Sequence, residues 1–247
     1  MSDVMIVTGG GRGIGRATSL RAARAGYDVI VNWAGDRESA ESTAARCVEL
    51  GVRALAVQAD VADEAAVAAM FDRATELGTP TVLVNNAGIL HEQMRFDEMT
   101  LERWREVFDV NVIGAFLCAR EAARRMSTRH GGLGGSIVNV SSAAAYLGSP
   151  GEYVDYAATK AAIDTMTIGL GRELADEGVR VNAVRPGVIT TEIHASGGEP
   201  GRAERVAPSV PMKRPGGADE VAAAILWLAS PDASYVTATT LDCSGGR

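Results

Sequence analysis

The segment EYVDYAATK, residues 152–160, places two tyrosines close to one lysine. Its alanines favour a helix, in which Tyr156 and Lys160 lie on one face, about 6 Å apart along the axis. Tyr153 shares that face but is roughly 10.5 Å from the lysine. A phenol ordinarily keeps its proton to about pH 10, and a fixed cation lowers this pKa by stabilising the phenolate. The spacing therefore favours Tyr156 with Lys160 as an acid/base pair, although a packed tyrosine beside a solvated lysine has the same pattern.

A glycine-rich turn, TGGGRGIGRA, follows the first strand-like run and precedes a helix. Gly9, Gly13 and Gly15 permit a tight turn, and the N-terminus of the helix offers free N–H groups to a pyrophosphate. A P-loop has similar glycine spacing, but Arg16 and Ala17 stand where it requires Lys and Ser or Thr. We therefore expect a phosphate-binding turn and no hydrolysis of nucleoside triphosphates.

Short β-branched runs alternate along the chain with alanine-rich segments of helical period. The strand-like runs are residues 4–8, 28–33, 53–60, 81–86, 136–142, 179–184 and 238–243. The helix-like segments are residues 14–25, 38–50, 63–77, 101–129, 153–177 and 218–229. This alternation predicts an α/β fold, a doubly wound parallel sheet of about seven strands with helices on both faces. We expect one domain over residues 1–247.

The segment near residues 188–217 is rich in glycine, proline and charge and has no strong periodicity. In a compact domain, so long a stretch is usually a functional lid or a disordered linker. Because it lies between a strand and a helix, we expect a lid over a substrate. Its charges, Arg202 and Arg205 among them, are explained by solvation as well as by substrate contact.

The composition is that of a soluble globular protein, with 47% hydrophobic and 22% charged residues. A net charge of −7 without runs of Lys or Arg argues against nucleic acid and anionic membranes as partners. The scattered Cys47, Cys118 and Cys243 support neither a disulfide framework nor a metal site. The strand-like N-terminus leaves no room for a leader, and no apolar run approaches the ~20 residues that span a bilayer. We expect a cytoplasmic protein that acts on small molecules.

Six motifs occur in a fixed order along the chain. They are T-G-x-x-x-G-x-G at 8–15, NNAG at 85–88, Asn111, Ser142 at the end of VNVSS, Tyr156-x-x-x-Lys160 and RPG at 185–187. Together they resemble the short-chain dehydrogenase/reductase family in its compact single-domain form. The resemblance covers nearly the whole chain and implies a Rossmann-like fold.

The resemblance also implies an oxidoreductase that interconverts a carbonyl and a secondary alcohol by hydride transfer with a nicotinamide cofactor. Tyr156 would be the general acid/base, and Lys160 would lower its pKa and hold the nicotinamide ribose. Ser142 would hydrogen-bond the reacting oxygen, and Asn111 would anchor a water leading to Lys160. The family usually places the serine one residue closer to the tyrosine, a shift that the loop after Ser142 can absorb. Tyr153 would then shape the substrate pocket.

The predicted cofactor contacts combine this resemblance with the chemistry of the second strand's end. They are Gly9, Arg12, Gly13, Ile14, Gly15, Asn32, Trp33, Arg37, Asp60, Val61, Asn86, Ala87, Gly88, Tyr156, Lys160, Pro186, Gly187, Ile189 and Thr191. A site for NAD usually ends that strand with Asp or Glu, whereas Asn32 and Trp33 stand there. Arg12 and Arg37 suit a 2′-phosphate. We expect NADP(H) as the preferred cofactor, with NAD(H) use open because Asp36 could reach the ribose.

The substrate stays open between a 3-oxoacyl thioester, a sugar and a small ketone. A catalytically silent nucleotide-binding sensor or scaffold is the alternative from another class. The resemblance further implies a homotetramer that pairs the helices near 101–129 and 153–177, where Ala157, Ala161 and Ala162 would permit close approach. Those alanines could equally pack within one subunit.

Overall fold

The computed structural model describes residues 3–247, and its elements follow the predicted alternation. The strands are β1 Asp3–Val7, β2 Asp28–Trp33, β3 Ala54–Gln58, β4 Thr79–Asn85, β5 Gly135–Val140, β6 Val179–Pro186, β7 Ile189–Thr190, β8 Gly216–Gly217 and β9 Thr240–Cys243. The helices are α1 Gly13–Arg24, α2 Arg37–Glu49, α3 Glu64–Thr75, α4 Leu101–Phe108, α5 Gly114–Met126, α6 Ala144–Leu147, α7 Val154–Glu173, α8 Ile193–Ser196, α9 Arg202–Val206 and α10 Ala218–Ala229.

The main sheet has seven parallel strands in the order β3-β2-β1-β4-β5-β6-β9. The predicted Rossmann-like, doubly wound architecture is therefore confirmed. The strand order reverses between β1 and β4, and in such sheets ligands bind outside the carboxyl ends of the strands at this point. The glycine turn after β1 and the NNAG motif after β4 both lie there.

Two apolar cores cover the two faces of the sheet. Ile6, Ile30 and Leu83 face a core that includes Phe71 of α3 and Met126 of α5. Their strand neighbours, such as Val7 and Val31, face a second core built from α1, α2 and α10. Strands covered on both faces have continuous hydrophobic sequences, which explains why they were recognisable.

The predicted helix over 101–129 is interrupted. A π-helical turn, Asp109–Ile113, separates α4 from α5, and α5 ends at Met126. The end comes at Ser127, whose extended backbone and side-chain hydroxyl begin a 3₁₀ turn by accepting from the N–H of Arg129. Single π turns of this kind are frequent at functional sites.

The segment near 188–217 contains short regular elements rather than an irregular stretch. β7 and β8 pair in parallel at its two ends, and α8 and α9 lie between them. Val188, Ala203 and Val206 form a small buried cluster inside it. Over the described part of the chain, every helix is too short or too polar to cross a membrane.

Candidate active site

A cavity of about 380 Å³ opens at the carboxyl ends of β5 and β6. Its walls bring together residues that are far apart in the sequence. Predicted site residues that line it are Ile14, Asn86, Gly88, Ser142, Tyr156, Lys160, Pro186, Gly187, Ile189 and Thr191. The cavity therefore joins the glycine turn to the tyrosine and lysine of α7.

Tyr156 and Lys160 lie one turn apart near the start of α7, as their spacing predicts. The Lys160 ammonium is 5.5 Å from the centroid of the Tyr156 ring. Its Nζ donates to the carbonyl oxygen of Val140 at 2.7 Å, at the end of β5. Lys160 is buried. The backbone of the sheet thus fixes the position of the cation beside the phenol.

Burial shifts the pKa values of this pair in opposite directions. It raises the pKa of Tyr156 to about 12, and a hydrogen bond with Ser142 acts the other way. It lowers the pKa of Lys160 to about 8, with Asp164 raising it. Both shifts disfavour the charged form, as expected for groups removed from water. At neutral pH the phenol therefore carries its proton.

The two serines at the end of β5 have different surroundings. The Ser141 hydroxyl is buried and donates to the carbonyl oxygen of Lys160 at 3.1 Å. Ser142 is half-buried, contacts Tyr156 and accepts from the N–H of Ala144 at 3.1 Å. The Ser142 hydroxyl is thus held between the N–H of Ala144 and the phenol of Tyr156, at the wall of the cavity.

Asn111 lies in the π-helical turn and is almost fully buried. Its side chain accepts from the N–H of Ile89 at 2.8 Å and donates to the Ile89 carbonyl at 2.9 Å. It also donates to the Thr159 hydroxyl at 3.2 Å. Asn111 thus ties the segment after β4 to α7 directly beside Lys160.

Tyr153 precedes α7 and lines the same cavity. Its ring meets that of Tyr156 edge to face, with centroids 6.1 Å apart. Burial raises the pKa of Tyr153 to about 12. It therefore forms a neutral aromatic wall next to the phenol of Tyr156.

The glycine turn has the geometry that a pyrophosphate needs. Gly13 has a φ of +49°, which L side chains rarely adopt, and a Cβ on Gly15 would stand 2.1 Å from the Gly9 carbonyl oxygen. No side chain caps α1 at Arg12, and α1 has no acid in its first turn. The first N–H groups of the helix and its dipole thus favour an anion. These residues fit the phosphates of a dinucleotide.

The NNAG motif holds this turn in place. The buried Thr8 hydroxyl accepts from the N–H groups of Asn86 and Ala87, at 2.9 and 3.0 Å. The Asn86 side chain donates to the carbonyls of Thr8 and Gly9. Gly88 follows and packs close to Asn111 and Lys160. The motif therefore links the glycine turn to the end of the cavity that contains Lys160.

Asn32 and Trp33, the predicted contacts at the end of β2, have side chains that bond or pack within the protein. The Asn32 side chain is buried, accepts from the N–H of Gly9 at 3.2 Å and donates to the Ala59 carbonyl at 2.9 Å. Trp33 packs against the core under α1 and α2. The Asn32 side chain thus supports the glycine turn from within.

The charged groups beyond β2 are engaged with one another. Arg12 Nε lies 3.3 Å from the carboxylate of Asp36, and both side chains are largely exposed. Asp36 also caps α2 by accepting from the N–H of Ser39. This hydrogen bond is the largest cause of the lowered pKa of Asp36, and the charge of Arg12 lowers it further. Arg37 donates to Glu41 along the exposed face of α2. Arg12 is thus the cation that lies at the glycine turn.

Two further predicted contacts follow β3. Asp60 is exposed and accepts from the N–H of Ala62 at 3.0 Å. Val61 is buried against Gly114 at the start of α5. Within residues 3–247, no group of three or more His, Cys, Asp or Glu could hold a metal ion.

Two ion pairs at the site were not anticipated from the sequence. Arg103 of α4 donates to Asp155, and Arg202 of α9 donates to Glu152. Each pair joins residues about fifty positions apart. No local pattern marks such partners, since only the fold brings them together.

Comparison with known proteins agrees with this geometry. The sequence profile of a family described as enoyl-(acyl carrier protein) reductase matches residues 9–247. The uncharacterized oxidoreductase YgfF of Escherichia coli is 54% identical over 245 residues, 99% of each chain. Glucose 1-dehydrogenase 2 of Bacillus subtilis is 39% identical over 242 residues, 98% of this chain and 93% of the relative.

Solved structures give the same result. The crystal structure of acetoin dehydrogenase YohF from Salmonella typhimurium superposes with a TM-score of 0.87 at 36% identity, covering 100% of this chain and 97% of that one. The relatives are named as oxidoreductases and dehydrogenases, and they align over nearly their full length. The chain therefore belongs to the short-chain dehydrogenase/reductase family and is an oxidoreductase.

Proposed function

We propose that this enzyme interconverts a carbonyl compound and the corresponding secondary alcohol, with Tyr156 as the acid/base, using NADP(H) in preference to NAD(H). The observation that carries this proposal is the cavity in which Tyr156, Lys160 and Ser142 meet the end of the glycine turn. When bound, the reduced nicotinamide would supply a hydride to the carbonyl carbon, and the oxidised nicotinamide would take one from the carbinol carbon of the alcohol.

Tyr156 donates its phenolic proton to the carbonyl oxygen as the alkoxide develops. Its raised pKa keeps that proton on the phenol at neutral pH, which suits reduction. Ser142, which contacts the Tyr156 phenol in the structure, turns its hydroxyl proton to the same oxygen when a substrate binds between them. The Lys160 ammonium stabilises the phenolate that remains.

Other residues hold these groups in position. Asn111 and Val140 fix the surroundings of Lys160 through the bonds described above. The N-terminus of α1 would hold the pyrophosphate of the cofactor, and the cavity walls at Pro186, Ile189 and Thr191 would enclose its nicotinamide end. The segment near 188–217 forms part of the same wall and acts as the lid of this single domain.

The preference for NADP(H) rests on Arg12. Its guanidinium lies at the glycine turn, is 61% exposed and pairs only loosely with Asp36. Such a group can form charge-assisted bonds with a 2′-phosphate. The Asp36 carboxylate opposes this preference because it would repel a 2′-phosphate. The ratio of kcat/KM for NADPH over NADH therefore shows which of the two charged groups dominates.

The direct test is turnover. Purified enzyme is mixed with NADPH or NADH and a panel of ketones, a sugar lactone or keto sugar, and 3-oxoacyl thioesters, while reduced cofactor is followed by absorbance. We expect oxidation of NADPH that depends on a carbonyl compound and on Tyr156. Cofactor binding without turnover of any carbonyl compound, in either direction, would contradict the proposal.

We propose further that the enzyme works as a homotetramer in the cytoplasm. Phe108, Phe116 and Ile168 are 39%, 47% and 39% exposed on α4, α5 and α7, the helices expected to pair. Of the small residues on α7, Ala157 is buried within the subunit. The contact between subunits would therefore involve Ala161 and Ala162. The free Cys47, Cys118 and Cys243 suit a reducing compartment. Light scattering that gives a monomer mass at micromolar concentration would contradict the assembly.

A further inference from the structure

One wall of the catalytic cavity carries an ion pair that the proposed reaction does not use. Arg202 of α9 donates through Nη2 to the carboxylate of Glu152, in the segment that precedes α7. The two side chains are 9% and 26% exposed. Both residues line the cavity that contains Tyr156.

Arg202 has a donor left over. Its Nε is buried and has no hydrogen-bond partner among the described residues. A buried donor of a charged group is costly to leave unpaired, and such groups mark places where water or a ligand supplies the acceptor. The side chain therefore has the capacity to bind an oxygen of the substrate.

The Arg202 guanidinium lies beside Tyr153, the aromatic ring that adjoins Tyr156. The guanidinium carbon of Arg202 is 5.3 Å from the centroid of the Tyr153 ring. That centroid is 6.1 Å from the centroid of the Tyr156 ring. A compact substrate whose carbonyl meets Tyr156 can thus present its far end to Arg202.

The charge balance indicates which group is accepted there. Glu152 neutralises Arg202, and Arg205, 3.9 Å from Glu152, is itself paired with Glu199 at the surface. The wall therefore offers hydrogen bonds without a net charge. A neutral oxygen suits it better than a carboxylate, which Glu152 would repel.

We propose that Arg202 and Glu152 select substrates that carry a second, uncharged oxygen group at the end remote from the reacting carbonyl. Arg202 Nε donates a hydrogen bond to that oxygen. Where the group is a hydroxyl, its O–H donates a hydrogen bond to the carboxylate of Glu152. This inference rests on the proposed carbonyl reduction and names the class of substrate for the same site.

Three ketones that differ only at the carbon opposite the carbonyl test this selection. They are cyclohexanone, 4-hydroxycyclohexanone and 4-oxocyclohexanecarboxylate, assayed as kcat/KM with NADPH. The wild type should prefer the hydroxyl compound to cyclohexanone by about tenfold or more, the size expected when a buried polar group lacks its partner. It should disfavour the carboxylate.

Two variants distinguish recognition of the substrate from a purely structural role, in which the ion pair only holds α9 against the rest of the domain. In Arg202→Met the ratio of hydroxyl compound to cyclohexanone should fall toward one. In Glu152→Gln the carboxylate compound should improve relative to cyclohexanone, because the arginine loses its neutralising partner. The matched control, Arg214→Gln, breaks an exposed pair with Glu220 away from the cavity and should keep the wild-type ratios.

These ratios do not depend on how much of each variant is folded, so a loss of folded enzyme cannot imitate them. Equal losses on all three ketones in Arg202→Met, or a wild-type preference for the carboxylate, would overturn the assignment. If cyclohexanone is reduced but the hydroxyl gives no advantage, this inference fails and the proposed function stands. If the wild type reduces none of the three, this inference fails, and the proposed carbonyl reduction is contradicted only if the wider panel of ketones, sugars and 3-oxoacyl thioesters is not turned over either.

Discussion

The buried ion pair between Arg103 and Asp155 gives a sharp prediction about how the catalytic helix is held. Arg103 Nε lies 2.7 Å from the carboxylate, and the side chains are 9% and 1% exposed. Arg103 also donates to the carbonyl of Glu92, while Asp155 accepts from the N–H of Tyr156. The pair thus connects α4, the segment after β4 and the start of α7.

Arg103→Met removes one partner and leaves the Asp155 carboxylate buried without its counter-ion. We expect the free energy of unfolding to fall by about 3–5 kcal/mol, the usual cost of breaking a buried pair from one side. In a chain of this size that corresponds to a melting temperature lower by roughly 6–20 °C. Urea unfolding followed by circular dichroism gives the free energy, and calorimetry gives the melting temperature.

The control is Arg95→Met, which breaks the pair of Arg95 and Asp97, whose side chains are 73% and 67% exposed. Its cost should be about 0–1 kcal/mol, as for exposed pairs in general. The double variant Arg103→Met with Asp155→Asn removes the uncompensated charge and should regain part of the loss. If Arg103→Met costs no more than the control, or the double variant is no more stable than the single one, the reasoning about this pair is refuted.

Three further predictions concern the site. Ser142→Ala should raise the barrier to turnover by about 2–4 kcal/mol, whereas Ser141→Ala should mainly lower stability; the opposite pattern in kcat would show that the register is misread. Arg12→Ala should lower the ratio of kcat/KM for NADPH over NADH about tenfold. Arg37→Ala should leave this ratio nearly unchanged, because Arg37 pairs with Glu41. An unchanged ratio in Arg12→Ala would contradict the 2′-phosphate site. The pKa of Lys160, about 8 in the folded protein against an ordinary 10.5, means that the unfolded chain binds more protons between these values. The free energy of unfolding of the wild type should therefore rise with pH across that window relative to Lys160→Met, and parallel pH profiles would exclude a buried lysine of lowered pKa.

The strands and main helices could be predicted because each carries a local signal. Runs such as VMIVT and SIVNV are buried on both faces, and turns rich in glycine bound them. The π-helical turn at Asp109–Ile113 has no comparable signal. The Asn111 side chain within this turn bonds to the backbone of Ile89, more than twenty residues earlier, and no local pattern reveals that contact.

The candidate site likewise has residues that the sequence predicts and residues whose placement only the fold reveals. Tyr156 and Lys160 were recognisable because one turn of helix fixes their relation. The direction of the Asn32 side chain depends instead on the backbone of β3 and of the glycine turn, which the sequence of β2 does not reveal. Arg202 stood among several lid charges with equal claims, and only its burial against Tyr153 and Glu152 distinguishes it.

The role of Tyr156 is the central claim, and Tyr153 beside it provides a matched control. Tyr156→Phe removes only the transferable proton and should keep the fold and NADPH binding, checked by circular dichroism and by quenching of cofactor fluorescence. Single-turnover kinetics with a carbonyl substrate should then show loss of nearly all reduction, while Tyr153→Phe keeps the chemical step and changes KM. Nearly complete loss in Tyr153→Phe, with Tyr156→Phe still active, would contradict the account.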